Sequence, residues 1–326
     1  MPATLRTNPV YPIHGSTPNA AYPGSLTAHP SYSGVFIPEI WSTNLVKEYY
    51  DGTVLSQITN TEYEGEISAH GDKVIIRTQP RITVRPYEIG MPLETEFPTG
   101  GTIELLIDKG LYWQTAIDDI VRKQQDIDQM RLWAQDSSEQ LKLALDTEVL
   151  AYLPANVHAD NTGTDAGRVS GNVNLGTTAA AIEMTTASVL ETVLYLGQVL
   201  DEQNVPETGR FLVMPFWATT LLKMSDLKAV HTTGDGTSPL RNGMVGRIDR
   251  FVVYNSNLLP INAAPGGTEW RTVMLAGHKD AATFATQLTK TDTLRSERTF
   301  GDIMRGLVVY GYRMIKPEAM AVAYIR

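Results

Sequence analysis

One stretch of the chain decides the fold: GMVGRIDRFVVYNSNLLP, residues 243–260. Its glycines Gly243 and Gly246 allow a close backbone approach or a positive φ. The β-branched and aromatic run Phe251–Tyr254 predicts a strand, and the Asn-Ser-Asn sequence after it predicts a tight turn. The stretch therefore predicts a close backbone approach at the glycines, then one short strand, and a tight turn after the strand.

Further blocks accompany this stretch in a fixed order along the chain. They are IPEIWS (37–42), YEGE (63–66), GDKV (71–74), LAGHKDAATFA (275–285), ERTFGD (297–302) and GLVVYGYRMIKPE (306–318). Together they resemble the major capsid proteins of tailed bacteriophages, in which a stretch like 243–260 joins the axial domain back to the peripheral domain. The chain departs from this family at Arg250, where the family usually has a second glycine. We expect one close backbone approach to be relaxed there.

Composition limits the classes of protein that fit. The 326 residues are 42% hydrophobic and 19% charged, which is typical of a globular protein with one large domain or two lobes. The net charge of −9 argues against a protein that grips nucleic acid by neutralising phosphates. The chain has no cysteine, which excludes disulfides and thiolate metal sites. No apolar run is long enough for a bilayer and no signal sequence is visible, so we expect a soluble protein made in a cytoplasm.

The N-terminal segment Pro2–Pro38 is rich in proline, which excludes helix and favours an extended backbone. A floppy tail and an arm that lies on a neighbouring subunit both fit this composition. Aromatic residues favour the arm, and its contact candidates are Tyr11, Tyr22 and Tyr32. A short amphipathic helix is predicted over Ile40–Gly52.

The segment Lys73–Tyr87 alternates well enough to predict a long strand. Val74, Ile76, Ile82 and Val84 share one face, and Arg77, Arg81 and Arg85 share the other. Prolines at 80 and 86 confine it to an exposed position, because proline cannot donate to a strand ladder. With a return limb to a strand over Thr102–Asp108 it forms a ribbon that reaches roughly 40 Å from the body. Such a ribbon implies a partner.

The arginine face needs acidic partners. Glu62, Glu64 and Glu66 alternate along the chain and would lie on one strand face, either as a plain solvated surface or as partners of the arginines. The acids Asp118, Asp119 and Asp126 are further candidates. Nucleic-acid contact is the alternative role for the arginines, although the stripe is short and the chain is acidic.

The remaining elements indicate an α+β protein. The sequence first predicts a turn at Lys109–Gly110, a strand over Leu111–Ile117, and a helix of some 25 residues from Asp118–Asp119 towards Pro154, with any bend at Ser137–Ser138. A loop over Asn156–Thr178 and a helix over Thr186–Asn204 follow. The last elements predicted are a buried strand over Arg210–Met214, a helix starting at Pro215, and a loop over Thr232–Asn242. Strands mixed with segregated helices and without regular β-α alternation are typical of α+β folds.

Motifs of catalysis are missing from the sequence. There is no phosphate-binding glycine loop, no Gly-x-Ser-x-Gly and no His-Glu-x-x-His. The six histidines are scattered, and the acids around Gly163 lack the ligand alternation of a calcium loop. The sequence therefore predicts no catalytic, cofactor-binding or metal-binding residues, no cofactor, and no enzyme activity.

The resemblance implies a Hong Kong 97-type capsid fold in six parts. These are an N-terminal arm (1–38), a helix leading into the peripheral domain (39–60), an extended β-ribbon loop (61–108), a peripheral domain with a long spine helix (109–153), an axial domain (154–260) and a return to the peripheral strands (261–326). The implied function is a structural major capsid protein that self-assembles into an icosahedral shell enclosing double-stranded phage DNA.

The resemblance also implies partners and a location. Other copies of the chain would form pentamers and hexamers, with a portal, no membrane, and a virion assembled in the host cytoplasm. Since the shell-like sequence begins near Ile37, we expect no cleaved scaffolding segment and a separate scaffolding protein. Two alternatives are an encapsulin-type cellular compartment and a soluble hydrolase with a site near Asp118, Asp119 and His278.

Overall fold

Helices and strands are interleaved along the chain. This computed structural model describes residues 53–63, 73–80, 82–124, 129–225, 246–263, 270–297 and 299–326. The helices described are α1 (Leu55–Ile58), α2 (Asp119–Gln124), α3 (Gln129–Ala155), α4 (Ser188–Glu202) and α5 (Phe216–Met224). The strands described are β1 (Lys73–Arg77), β2 (Thr102–Leu106), β3 (Lys109–Asp118), β4 (Arg210–Met214), β5 (Arg247–Ile248), β6 (Phe251–Asn255), β7 (Asn262–Ala263), β8 (Trp270–His278), β9 (Ala282–Arg295), β10 (Gly301–Met314) and β11 (Met320–Ile325).

These strands form separate sheets with different roles. β1 and β2 form a two-stranded ladder at the base of the ribbon, and β3, β10 and β9 form a long antiparallel sheet. A larger sheet has the order β11-β8-β4-β6-β5, with β7 added on β8. Its β4–β6 pair is parallel, whereas its other neighbours run antiparallel. The mixture of helices and mostly antiparallel sheets is the α+β class that the sequence predicts.

The main core lies around the larger sheet. α4 covers β8 and β11, and the C-terminal part of α3 joins the same cluster of buried side chains. The predicted helix over Thr186–Asn204 is confirmed as α4, and its predicted inward residues are all fully buried: Val189, Val193, Leu196 and Leu200. The predicted buried strand is confirmed as β4, in which every residue is buried. Period and hydrophobicity were sufficient to predict these two elements because the subunit itself covers both.

The long helix is also confirmed. Asp118 accepts a hydrogen bond from the backbone N–H of Ile120 at 2.9 Å and so caps α2, as the acidic start predicts. α3 continues unbroken through the two serines at 137 and 138 and ends just after Pro154. Its buried residues begin only at Leu145, so the N-terminal half of α3 lies near the surface.

Two sequence predictions are wrong. The long strand over Lys73–Tyr87 stops at Arg77, because prolines interrupt both limbs beyond that point and cannot donate to a ladder. The turn at Lys109–Gly110 is absent, since both residues belong to β3 and pair with β10. The chain passes there from one sheet to another, and it does not need to reverse direction.

Within the stretch 243–260, the described residues 246–260 contain β5, a turn and β6. The predicted strand Phe251–Tyr254 is confirmed, and the hydroxyl of Ser256 accepts the N–H of Leu258 at 3.1 Å in the turn after it. Asp249 takes a φ of 51° in the turn before β6. Arg250 then reaches back to the carboxylate of Asp201 on α4 at 2.7 Å. The residue that departs from the family pattern thus ties this turn to a helix.

Candidate assembly surfaces

The ribbon, residues 73–106, is paired at its base and open beyond it. In the ladder Arg77 lies opposite Thr102, and the N–H of Thr78 donates to the carbonyl of Gly101 at 2.8 Å. Beyond this bond every residue from 82 to 101 is exposed. The outer ribbon therefore has no cover from the described part of its own chain.

Side chains hold the two limbs together beyond the ladder. The backbone N–H of Thr83 donates to the carboxylate of Glu96 at 3.2 Å, and Arg85 forms an ion pair with Glu94. Both pairs follow the register set by the ladder. Because residues that lie opposite each other in an antiparallel pair share a face, this face of the ribbon carries its own acidic partners.

The other face of the ribbon is apolar. At the base, Ile76 and Leu105 are buried in a small satellite core. The same alternation places Ile82, Val84 and Phe97 farther out on that face, where Val84 is 93% and Phe97 is 87% exposed. One continuous apolar face is thus buried at the base and uncovered outside.

The candidate contact residues have different surroundings. Arg85 pairs within the ribbon, whereas Arg77 and Glu62 are exposed and make no ion pair with any described residue. The ribbon arginines and Glu62 are not brought together among the described residues. The other candidates lie outside the described residues: Arg81, Glu64, Glu66, Tyr11, Tyr22 and Tyr32. The same holds for the predicted arm over 1–38, the helix over 40–52 and the loop over 232–242.

Two of the further acidic candidates are used inside the subunit. Both terminal nitrogens of Arg295 donate hydrogen bonds to the carboxylate of Asp119, one of them at 2.9 Å from Oδ1. Arg295 also lies 3.4 Å from Asp302 on the neighbouring strand. Asp118 caps α2, and Asp126 lies outside the described residues.

A polar cluster on α3 was missed by the sequence analysis. Glu148 accepts hydrogen bonds from Lys109, Tyr310 and Tyr312, the last at 2.9 Å. The Lys109 ammonium also lies 4.3 Å from the centre of the Tyr312 ring. The cluster joins α3 to β3 and β10. No local pattern could predict it, because its members are distant in sequence and meet only when the sheet forms.

The pKa values in this cluster reflect that pairing. Burial raises the pKa of Glu148, but hydrogen bonds from Lys109, Tyr310 and Tyr312 outweigh it, and the net pKa is lowered. Burial, followed by the bond to Glu148, raises the pKa of Tyr310. The carboxylate and the ammonium are therefore both charged at neutral pH.

A buried carboxylate fixes the segment that leads into the ribbon. Asp146 is 2% exposed and accepts the N–H of Val54 at 2.6 Å and that of Leu55 at 3.4 Å. A few residues later the N–H of Asn60 donates to the carbonyl of Ala282 at 2.9 Å. The segment is therefore held on α3 at one end and on β9 at the other.

Among the described residues, no helix has the length and apolar character that crossing a membrane requires. Clusters of three or more His, Asp or Glu side chains that could hold a metal are likewise not found in the described part of the chain.

Comparison with known families decides the identity. A model of the family described as phage capsid protein matches residues 109–324, well over half of the chain. The chain belongs to this family. It is a structural capsid protein of bacteriophage type and not an enzyme.

Solved structures agree with this phage capsid assignment. A chain from Mycobacterium phage Che8 is 26% identical with a TM-score of 0.72, and the match covers 88% of this chain and 96% of that one. The capsid structure of the cyanophage P-SCSP1u is 15% identical with a TM-score of 0.69, covering 89% and 93%. The capsid of Ralstonia phage GP4 is 14% identical with a TM-score of 0.60, covering 92% and 98%. No curated protein matches the sequence.

The capsid protein therefore has the α+β fold of the Hong Kong 97 type, as the resemblance implied. The long helix α3 lies in the segment expected to carry the spine helix, and residues 73–106 lie in the segment 61–108 expected to form the extended loop. The matches do not support the cellular-compartment or hydrolase alternatives.

Proposed function

We propose that copies of this capsid protein close into an icosahedral shell of pentamers and hexamers that encloses double-stranded phage DNA. The observation that supports this proposal is the outer ribbon, in which every described residue from 82 to 101 is exposed, including its large apolar side chains. Large exposed apolar surfaces mark sites of association. The shell would be the virion capsid, assembled in the host cytoplasm.

The proposed division of labour follows the expected six parts of the chain. Residues 1–38 act as the arm, 39–60 lead into the peripheral domain, and 61–108 form the extended loop. Residues 109–153 form the peripheral domain, 154–260 the axial domain, and 261–326 the return strands. The segment Val54–Asn60, held by α3 and β9, anchors both the arm and the loop to the subunit body.

The ribbon makes its main contact through the apolar face. Ile82, Val84 and Phe97 lie on a neighbouring copy of the chain, because no described part of their own chain covers them. Arg85 and its face have partners on the return limb, in Glu94 and Glu96. We propose that these cis pairs keep the ribbon extended before assembly, which lowers the entropy lost on docking.

The remaining candidates make secondary contacts. Arg77 and Arg81 pair with carboxylates of an adjacent subunit, with Glu62, Glu64 and Glu66 as the acidic candidates. An exposed pair of this kind contributes only about 0.2–1 kcal/mol, so its role is register rather than affinity. Tyr11, Tyr22 and Tyr32 of the arm add contact area on a neighbour.

Other partners follow from the chemistry of a shell. A separate scaffolding protein directs closure, and a portal occupies one vertex. The net charge of −9 suits a container that holds DNA without binding its phosphates tightly. No cofactor takes part.

Electron microscopy of the expressed chain tests the proposal, with closed particles as the expected result. A chain that stays as small oligomers even with the phage scaffolding protein present contradicts it. The triple variant Arg77→Glu, Arg81→Glu, Arg85→Glu tests the electrostatic part by circular dichroism and sedimentation. We expect a folded subunit that assembles poorly. Normal particles would show that these arginines do not govern assembly, and an unfolded subunit would place the ribbon in the subunit core.

A further inference from the structure

The chain passes between its two main sheets through three short turns. One is the 3-10 turn Ala159–Asn161, after α3; another is Lys279–Ala281, between β8 and β9; the third is Pro317–Ala319, between β10 and β11. We call these three turns, with His158 and His278 in front of the first two, the joint. From α3 to β11, each described chain segment that leads from one of these two sheets to the other passes through one of the three turns.

The three turns are bonded to one another. The backbone N–H groups of Ile315 and Lys316 both donate to the carbonyl of Ala281, at 2.8 and 3.1 Å. The N–H of His158 donates to the carbonyl of Pro317 at 3.2 Å. The side-chain amide of Asn161 donates to the carbonyl of Glu318 at 2.8 Å. The third turn, with the two residues before it, is therefore hydrogen-bonded to both of the others.

Two of the turns begin with the same His-x-Asp sequence and the same cap. Nδ1 of His158 accepts the N–H of Asp160 at 3.3 Å, and Nδ1 of His278 accepts the N–H of Asp280 at 3.2 Å. A ring nitrogen can accept a hydrogen bond only when it carries no proton. Both caps therefore require a neutral imidazole with its proton on Nε2.

Each cap also has an alternative partner for the protonated ring. The carboxylate of Asp160 lies 3.5 Å from Nδ1 of His158, and that of Asp280 lies 3.6 Å from Nδ1 of His278. On protonation Nδ1 becomes a donor, so it would release the backbone N–H and turn to the carboxylate. Histidine is the side chain whose charge ordinarily changes between about pH 5 and pH 8.

We propose that the joint is a pH-responsive element of the fold, in which protonation of His158 and His278 uncaps two of the turns that connect the sheets. The neutral rings hold the Asp160 and Asp280 amides and keep the joint closed. The protonated rings pair with the carboxylates and leave those amides to solvent. The proposal concerns the single chain, and it stands or falls independently of shell formation.

The charges that face His278 allow this exchange. Its ring lines a cavity of about 330 Å³ together with Arg168, Asp280, Lys316 and Glu318, two cations and two carboxylates. In β4, Arg210 lies opposite His278 and is itself paired with Asp201 at 2.8 Å. For His158, the nearby carboxylate is Asp160, and the turn bonded to its backbone contains Glu318, with Lys316 immediately before it. Each ring thus has a carboxylate within reach of Nδ1, and cations lie on the other elements packed around the joint.

The test is hydrogen exchange of the full-length chain at about pH 7.5 and about pH 5.5, corrected for the intrinsic rate. Loss of one cap corresponds to roughly 1 kcal/mol, so exchange in 159–161 and 279–281 should rise about fivefold at the lower pH. Strand β6, which pairs only with β4 and β5 and contains no residue of the joint, serves as the internal control and should not change. The variant His158→Asn, His278→Asn keeps a side-chain oxygen acceptor that does not titrate, so it should lose the pH response.

An equal pH response in the wild type and in this double variant overturns the proposal, and so does the absence of a response in the wild type. A second measurement needs no variant. The ring ¹⁵N shifts of the wild-type chain at about pH 7.5 should show the Nε2–H tautomer for both histidines. An Nδ1–H tautomer at either residue is incompatible with the cap and contradicts the proposal.

Discussion

Strand β4 and the outer ribbon both contain large apolar residues, but in opposite surroundings. All five residues of β4 are buried, with the larger sheet and its helices around them. Every described residue of the outer ribbon from 82 to 101 is exposed, including large apolar ones such as Leu93. The difference teaches that the described part of the subunit builds its core without the outer ribbon, whose apolar face is available for a neighbour.

The largest expected effect separates these two regions by stability. Leu212 in β4 is fully buried, so Leu212→Ala should lower the free energy of unfolding by about 2–5 kcal/mol through lost burial and a cavity. The matched control Leu93→Ala in the ribbon should change it by less than about 0.5 kcal/mol. Denaturant unfolding of the unassembled chain measures both. Similar losses for the two variants would mean that the ribbon belongs to the core.

The next effect concerns the place where the ribbon is anchored. Asp146→Ala leaves the N–H groups of Val54 and Leu55 without their acceptor, which should cost about 1–3 kcal/mol of unfolding free energy. Burial raises the pKa of Asp146, although the two backbone bonds oppose it, so a neutral group is tolerated there. Asp146→Asn should therefore cost less. Equal losses for Ala and Asn in thermal unfolding would show that the accepting oxygen does not hold the segment.

A smaller effect is expected in the cluster that joins the spine helix to the long sheet. Glu148→Ala removes the acceptor of Lys109 and Tyr310, and should cost about 1–2 kcal/mol because the site is only partly buried. The control Glu104→Ala removes the exposed pair with Lys73 at 3.3 Å and should cost about 0–1 kcal/mol. Urea unfolding decides between them. A larger loss at Glu104 would mean that the ribbon base matters more than the spine contact.

The smallest expected effect is on the pH dependence of the free energy of unfolding. It concerns Glu202 at the end of α4, the helix that covers the larger sheet. Burial raises the pKa of Glu202, but hydrogen bonds from Ser170, Gln198 and Val169 outweigh it and lower the pKa to about 2 from 4.5. A lowered pKa in the folded state means that the stabilisation is present above about pH 4.5 and is lost as the pH falls towards about 2. Glu202→Gln should flatten the stability curve in that window. An unchanged curve would show that Glu202 is not held this way.

The sequence predicts best those elements whose apolar side chains are buried within the subunit itself. The inward face of α4, the buried strand β4 and the start of α2 at Asp118 all follow from local period and capping, and the fold confirms them. The limits of β1 were harder to predict. The apolar-polar alternation extends to Tyr87, but the ladder ends at Arg77 because the prolines beyond it have no N–H to donate.

Contacts that depend on register could not be predicted from a single sequence. The pairing of Arg85 with Glu94 requires knowing which residues lie opposite each other across the ribbon. The Glu148 cluster requires α3, β3 and β10 to be in place before its members meet. Both involve charged residues that local patterns describe only as exposed, so the sequence alone gives no sign that Arg85 has its partner within the ribbon.

The ribbon also provides the most direct test of the whole account. The double variant Val84→Asp, Phe97→Asp places two charges on the apolar face that we propose lies on a neighbouring copy, whereas Tyr87→Asp changes an exposed residue on the other face. Sedimentation should show that the double variant forms no particles, and circular dichroism should show a folded subunit with an unchanged midpoint of thermal unfolding. Normal particles from the double variant would contradict the claim that this face contacts a neighbouring copy. A subunit that unfolds would contradict the claim that this face is not part of the subunit core.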